Sequence, residues 1–198
     1  PGYDAHIPNS MGTIADILQA EGYTTMAIGK WDHLPGEDSS PAGPFDYWPS
    51  GQGFDRFYGF LAADTDNFQP ALWADHTPAE LPAKDSYHLS EDMADKAIQW
   101  IDERNNRPTQ PPFFMYWATG AVHAPHHAPT DTLAYYRGRF DQGWDNMREQ
   151  ILAKQKTEGI IPSDTPLPPL PAEIPAWKSL SEQGQQSYAR AMEALAAQ

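Results

Sequence analysis

The stretch Ser10-Met11-Gly12-Thr13-Ile14-Ala15-Asp16-Ile17-Leu18-Gln19-Ala20-Glu21-Gly22-Tyr23-Thr24-Thr25-Met26-Ala27-Ile28-Gly29-Lys30 decides the fold class. Met11, Ile14, Ile17 and Leu18 recur at helical steps, which predicts a helix over Ser10–Glu21 with Ser10 as its cap. Gly22 stops that helix, and Tyr23 to Gly29 reads as a short apolar strand that delivers Lys30 at its end. The same order returns downstream. Ser90 is expected to cap a helix with the stripe Met93, Ala97, Ile98 and Ile101, a turn follows over Asn105 to Pro112, and Phe113-Phe114-Met115-Tyr116-Trp117 forms a second buried strand. Helix then strand, twice, implies an α/β arrangement with mostly parallel strands flanked by helices. In such sheets ligands gather beyond the carboxyl ends of the strands.

Between the two pairs, Trp31 to Ala83 is rich in turn formers and aromatics and lacks sustained periodicity, so it reads as a long ordered loop excursion. After His127 a short helix is expected near Thr130 to Tyr136, and a longer one from about Asp141 to Lys156 with Trp144, Met147, Ile151 and Leu152 on one side. Pro162 to Pro175 is a proline-rich connector, and a last helix starts at the capping Ser181 and runs through Tyr188, Met192 and Leu195.

Composition narrows the function classes. With 198 residues the chain is long enough for a real core. Its 27 acidic and 13 basic side chains give a net charge of −14, a field that repels phosphate backbones and anionic lipid. Neither nucleic acid nor a membrane is therefore an expected partner; no run approaches the roughly eighteen apolar residues of a spanning helix. The absence of cysteine removes disulfides, thiolate nucleophiles and cysteine metal sites from these residues. Compartment and oligomeric state are left open.

Three constellations could carry chemistry. Gly29-Lys30-Trp31-Asp32-His33 sets an ammonium, a carboxylate and an imidazole at a strand end, a group able to bind an oxyanion and exchange a proton. The plainer alternative has Lys30 reaching to solvent while Asp32 and His33 cap a turn. His123-Ala124-Pro125-His126-His127 offers three imidazoles that suit a metal or, when protonated, an anion; a surface turn is the alternative. Asp64-Thr65-Asp66-Asn67 has the alternating oxygens of half a calcium loop, but the glycine and distant glutamate of that pattern do not follow, so it reads as a hydrogen-bonded turn. His6, His76 and His88 are unassigned, with surface or turn roles preferred.

Taken in order, these pieces resemble the type I sulfatase family of the alkaline-phosphatase-like superfamily. Ile14 to Thr25 is similar to the helix and strand ahead of that family's signature, and the likeness continues into Gly29-Lys30-Trp31. Pro112-Phe113-Phe114-Met115-Tyr116 with the trailing His123-Ala124-Pro125 resembles its second strand and His-x-Pro, while Ser40 to Asp46 and Gly53 to Phe60 are similar to long-loop bacterial arylsulfatases. The resemblance implies part of a large α/β sandwich with a mixed sheet, a formylglycine nucleophile made from cysteine or serine, and a divalent cation, usually Ca2+. It assigns Lys30 to charge neutralisation on a small sulfate ester and its nucleophile, and His123 to sulfate contact and protonation of the departing alcohol.

The chain departs from the family pattern at three points. The second signature histidine is replaced by Asp32, with His33 one step on, so either residue could serve the nucleophile. The Cys/Ser-x-Pro/Ala-x-Arg nucleophile motif and its preceding aspartates are absent, as are the later metal pair and second lysine. Residues 1–198 are accordingly expected to be an internal part of a sulfatase catalytic domain, inactive alone, with the nucleophile upstream and further metal ligands downstream. The alternatives are a phosphodiesterase or phosphonate hydrolase of the same superfamily, a non-catalytic anion-binding relative, and an unrelated histidine metal site at His123 to His127. The sulfatase expectation requires Lys30 and His123 to converge on one cleft.

Overall fold

Period-two alternation in the first strand assigns its side chains to two faces. A computed structural model describes residues 7–83 and 86–198. In it β1 (Thr24–Lys30) sends Met26 and Ile28 to one side and Ala27 to the other. Two clusters result. Met26 and Ile28 join Tyr58, Phe60, Leu72 and the helix residues Leu89, Met93, Ala97 and Trp100, whereas Ala27 joins Ala15, Trp31, Leu34, Trp48, Phe54 and Phe57. β1 and β2 (Arg56–Phe60) are thus buried on both faces, which is why β1 reads as a near-continuous apolar run. The strand over Phe113–Trp117, expected to be buried, instead leaves Phe113, Tyr116 and Trp117 exposed because it ends the strand order.

The sheet also contains β2 (Arg56–Phe60), the two-residue strands β3 (Trp73–Ala74) and β4 (Thr77–Pro78), and β5 (Phe113–Ala118), in the order β4-β3-β2-β1-β5. β1 pairs in parallel with both β2 (Ile28 opposite Tyr58) and β5 (Ile28 opposite Trp117), and the β3-β4 hairpin adds an antiparallel edge. The long strands are parallel, as expected. The Trp31–Ala83 excursion, however, contains the neighbour of the central strand. β2 has apolar residues on both faces and a glycine inside it, so alternation does not mark it, and its strand-favouring Phe57, Tyr58 and Phe60 are lost among the other aromatics of the excursion.

Asp55 enters β2 as a connector. Its Oδ2 accepts from Thr25 N (2.9 Å), its amide donates to Thr25 O (2.9 Å), and its Oδ1 accepts from Gln19 Nε2 (2.7 Å). One carboxylate thereby ties helix α1 (Ile14–Ala20), β1 and the start of β2 together. On the opposite face α2 (Leu89–Asn105) presents buried Asp92 to the hydroxyls of Tyr58 (2.6 Å) and Tyr87 (2.9 Å). Burial, then the bond to Asp92 and its charge, pushes the Tyr58 phenol well above its usual range, so it remains a donor.

Several local expectations are corrected. α1 begins at Ile14, and its cap is Thr13 rather than Ser10: Thr13 Oγ1 accepts from Asp16 N (3.0 Å) while Asp16 Oδ2 accepts from Thr13 N (2.9 Å). Thr13→Ala should cost about 1 kcal/mol, measurable as a shift in the denaturation midpoint. The expected stripe of Met11, Ile14 and Ile17 is exposed, because α1 docks through the small Ala15. His88, not Ser90, caps α2, and Ile98 is exposed while Leu89 and Trp100 are buried.

A second unit, Ala128–Gln198, holds α3 (Thr130–Tyr136), α4 (Gly143–Thr157) and α5 (Glu182–Ala197). Ser181 caps α5 as expected, accepting from Gly184 N (3.1 Å). The buried face of α5 is Ala189, Glu193 and Ala197, whereas Tyr188 and Leu195 are exposed. Glu193 tolerates burial because its Oε1 accepts from Gly138 N (2.6 Å) and Arg190 Nη2 (2.5 Å). Trp177 fills the space beside Gly143 and packs edge-on against Trp144 (4.7 Å). Ile151, placed on the apolar side of α4 by its spacing, is exposed. Among the described residues no helix is long and apolar enough to cross a membrane.

Candidate active site

Two glycines bring the three parallel strands β2, β1 and β5 unusually close at their carboxyl ends. A Cβ on Gly59 would overlap the Gly29 carbonyl, and one on Gly29, whose φ is +105°, would overlap the Ala118 carbonyl. Gly29 stands opposite both Gly59 and Ala118, so β1, β2 and β5 end side by side. Lys30 lies opposite Phe60, and Trp31 N donates to Phe60 O (2.9 Å). The Trp31 ring is buried, with Nε1 donating to Tyr47 O (2.8 Å), which fixes the backbone just after the lysine.

Lys30 therefore emerges at the sheet edge, with Nζ 3.7 Å from Asp32 Oδ2. His33 is exposed and lies edge-on to Trp31 at 5.3 Å. Of the two residues competing for the second signature position, Asp32 is the one beside the ammonium.

After Ala118 the chain turns at Thr119-Gly120. Gly120 sits against the Phe60 ring, where a Cβ would come within 3.4 Å, and His123 N donates to Gly120 O (2.8 Å). The turn thus sets Gly120, three residues before His123, beside Phe60, the partner of Lys30 in the sheet. The His123 side chain is half-exposed; Nδ1 donates to Ala124 O (2.7 Å) and lies 3.8 Å from Asp64 Oδ2. A carbonyl only accepts, so Nδ1 carries a proton and Nε2 is the position at which the ring gains or loses one.

The turn at Asp64 to Asn67 faces this loop. Asp66 Oδ1 accepts from Phe68 N (2.7 Å) and Gln69 N (2.9 Å), and those two amides, with a smaller contribution from His127, hold its carboxyl below the usual range. His127 Nδ1, itself buried, lies 3.3 Å from Asp66 Oδ1 without hydrogen-bond alignment, and its ring stacks on Phe68 at 5.6 Å. Asn67 Nδ2 donates to Pro125 O (3.4 Å). The turn is thus a support for the His123 loop, a role its sequence does not advertise.

His88 is likewise no surface residue: it is 5% exposed and donates from Nε2 to His127 O (3.0 Å). His76 bonds Ser50 Oγ (2.6 Å) and packs on Phe45 at 4.0 Å, and His6 lies outside the described residues. Among the described residues no group of three or more His, Asp or Glu side chains is disposed to hold a metal, so His123, His126 and His127 do not make one. Lys30 has Asp32 beside it, and His123 has Asp64 beside it.

The chain matches the sulfatase family model over residues 2–195. It is 29% identical to the arylsulfatase of Klebsiella aerogenes over 99% of this chain and 42% of that one. An uncharacterized sulfatase of Schizosaccharomyces pombe is 30% identical over 100% of this chain and 36% of its own. The chain thus spans less than half the length of either relative. Among solved structures, a putative sulfatase, yidJ, from Bacteroides fragilis superimposes with a TM-score of 0.56 at 14% identity, covering 96% of this chain and 39% of that one. Ps i-CgsB in complex with a neocarrahexaose gives 0.55 at 23% identity, covering 69% and 32%. At these identities the structural likeness establishes the fold, an α/β sandwich of the sulfatase type.

Proposed function

Because this chain belongs to the sulfatase family, we propose that it supplies one side of the catalytic cleft of a sulfuric ester hydrolase, with Lys30 and His123 as the groups that meet the sulfate. The observation that carries the reading is the parallel β2-β1-β5 arrangement, which brings the strand ending in Lys30 and the strand leading to His123 to one sheet edge. In sulfuryl transfer, negative charge builds on the sulfuryl oxygens and on the departing oxygen. Lys30 stabilises the former as a fixed cation, and His123, its Nδ1 proton held by Ala124 O, delivers the Nε2 proton to the latter. Asp32 takes the second signature position, where its carboxylate beside Lys30 serves the nucleophile.

The attacking group is not among these 198 residues, which contain no cysteine and no Ser-x-Pro/Ala-x-Arg run. The reaction therefore belongs to a longer protein, in which residues 1–198 form an internal part of the catalytic domain. The exposed side chains of Met11, Ile14, Ile17, Tyr116 and Trp117 support this reading, since additional protein covering them would remove a large apolar surface from water. Family chemistry also calls for a metal ion, which we take to be Ca2+. Among the described residues no group of three or more candidate ligands is disposed to hold it, and we assign its ligands mostly to residues outside this chain. Small aryl sulfates are the substrate class we infer, on the strength of the arylsulfatase that matches nearly the whole chain.

The test is hydrolysis of a chromogenic aryl sulfate against the matching aryl phosphate by the protein expressed from its full reading frame. Preference for the sulfate is expected, with Asp32→Asn losing more turnover than His33→Ala. Hydrolysis of the phosphate alone would replace this reading by phosphoryl transfer.

A further inference from the structure

His88 is an unusual choice for a helix cap. Ser, Thr, Asp or Asn does that work better, yet here an imidazole accepts from Ser90 N through Nδ1 (3.3 Å) at the start of α2. Its second nitrogen explains the choice. Nε2 donates to His127 O at 3.0 Å, and that carbonyl can only accept. A neutral ring with its proton on Nε2 satisfies both bonds at once, and the ring is buried. The short capping residues could not reach the second partner.

We propose that His88 is a positioning residue for the loop that carries His123, linking that loop to the first turn of α2. The proposal rests on the sulfatase reading given above. The loop is held at both ends: Gly120 abuts Phe60 beside β1, and His127 O is held by His88. A second line runs parallel to it, as Leu89 N donates to Asn67 O (2.8 Å) and Asn67 Nδ2 donates to Pro125 O (3.4 Å). Phe68 seals the joint, stacked on His127 and edge-on to His88 at 5.5 Å. His123 sits between these anchors, so loosening one of them moves the proton donor relative to the leaving oxygen. Misplacement on the ångström scale costs up to about a hundredfold in rate.

Two substitutions separate the ring's two tasks. His88→Asn keeps a capping oxygen but cannot span to His127; His88→Gln places a donor near the Nε2 position but gives up the cap. In the full-length protein, His88→Asn should keep its thermal midpoint while kcat falls about tenfold or more with little change in KM. His88→Gln should lose thermal stability and retain more of kcat. Normal kcat in His88→Asn alongside an impaired Lys30→Ala overturns the role of His88 and leaves the sulfatase reading intact. Normal kcat in Lys30→Ala and His123→Ala instead overturns that reading and this role with it. Independently of how either variant folds, nitrogen NMR of the unsubstituted protein should show the Nε2–H tautomer at His88, and the Nδ1–H tautomer would overturn the bridge.

Discussion

Lys30→Ala and His123→Ala, each made in the full-length protein, should lower kcat/KM for an aryl sulfate by about 10²–10³-fold, the usual cost of removing one donor that acts on transition-state charge. The two losses should differ in kind. His123 is assigned to the departing oxygen, so its loss should shrink as the aryl leaving group becomes more acidic and needs a proton less. Lys30 is assigned to the sulfuryl oxygens, whose charge changes little with the leaving group, so its loss should stay level across the series. Measured rates against leaving-group acidity give two lines, steep for His123→Ala and close to the wild-type slope for Lys30→Ala. Near-normal rates in both variants would remove this sheet edge from the chemistry. Equal slopes would exchange proton transfer at His123 for simple sulfate contact.

What the sequence disclosed, and what it hid, follows from the range of the interactions involved. The strand Tyr23–Gly29, the strand Phe113–Trp117 and the cap at Ser181 are local events, and β1, β5 and α5 form there. The apolar stripe of α1 is not its docking face, because the docking position is an alanine. Ala15, Ala189 and Ala197 bring a helix close to its neighbour, while the larger Met11, Ile17, Tyr188 and Leu195 remain exposed. A hydrophobicity pattern counts bulk and so favours the wrong side. At the site, Gly-Lys-Trp and His-x-Pro stand out as short motifs, but their support comes from residues distant in sequence. Asp64, Asp66, Asn67 and His88 acquire meaning only when their loops meet residues 120–127. The one available hint was the pairing of Asp66 with Asn67 in a turn-forming run, which predicts a turn but not its partner.

The largest expected effect on stability is at Gly59. Gly59→Ala adds one methyl group, and that methyl would overlap the carbonyl oxygen, carbonyl carbon and amide nitrogen of Gly29, all of them backbone atoms of the adjacent central strand. A side chain in that place could rotate away; a paired strand cannot move without breaking its ladder with β2 or β5. Overpacking in a core costs about 1–3 kcal/mol where neighbours relax, so a rigid neighbour puts Gly59→Ala at or above the top of that range. Chemical denaturation should therefore show a loss of about 3 kcal/mol or more, or no folded protein. Gly36→Ala is the matched control, because a Cβ there meets nothing within 4 Å and its midpoint should barely move. The effect should also reach the site: Lys30 and Phe60 are the next pair in the register, so any folded Gly59→Ala protein should show a larger fall in turnover than its remaining stability explains. A Gly59→Ala protein as stable as the parent would mean that β1 and β2 do not approach so closely, and the shared edge on which Lys30 and His123 act together would lose its structural basis.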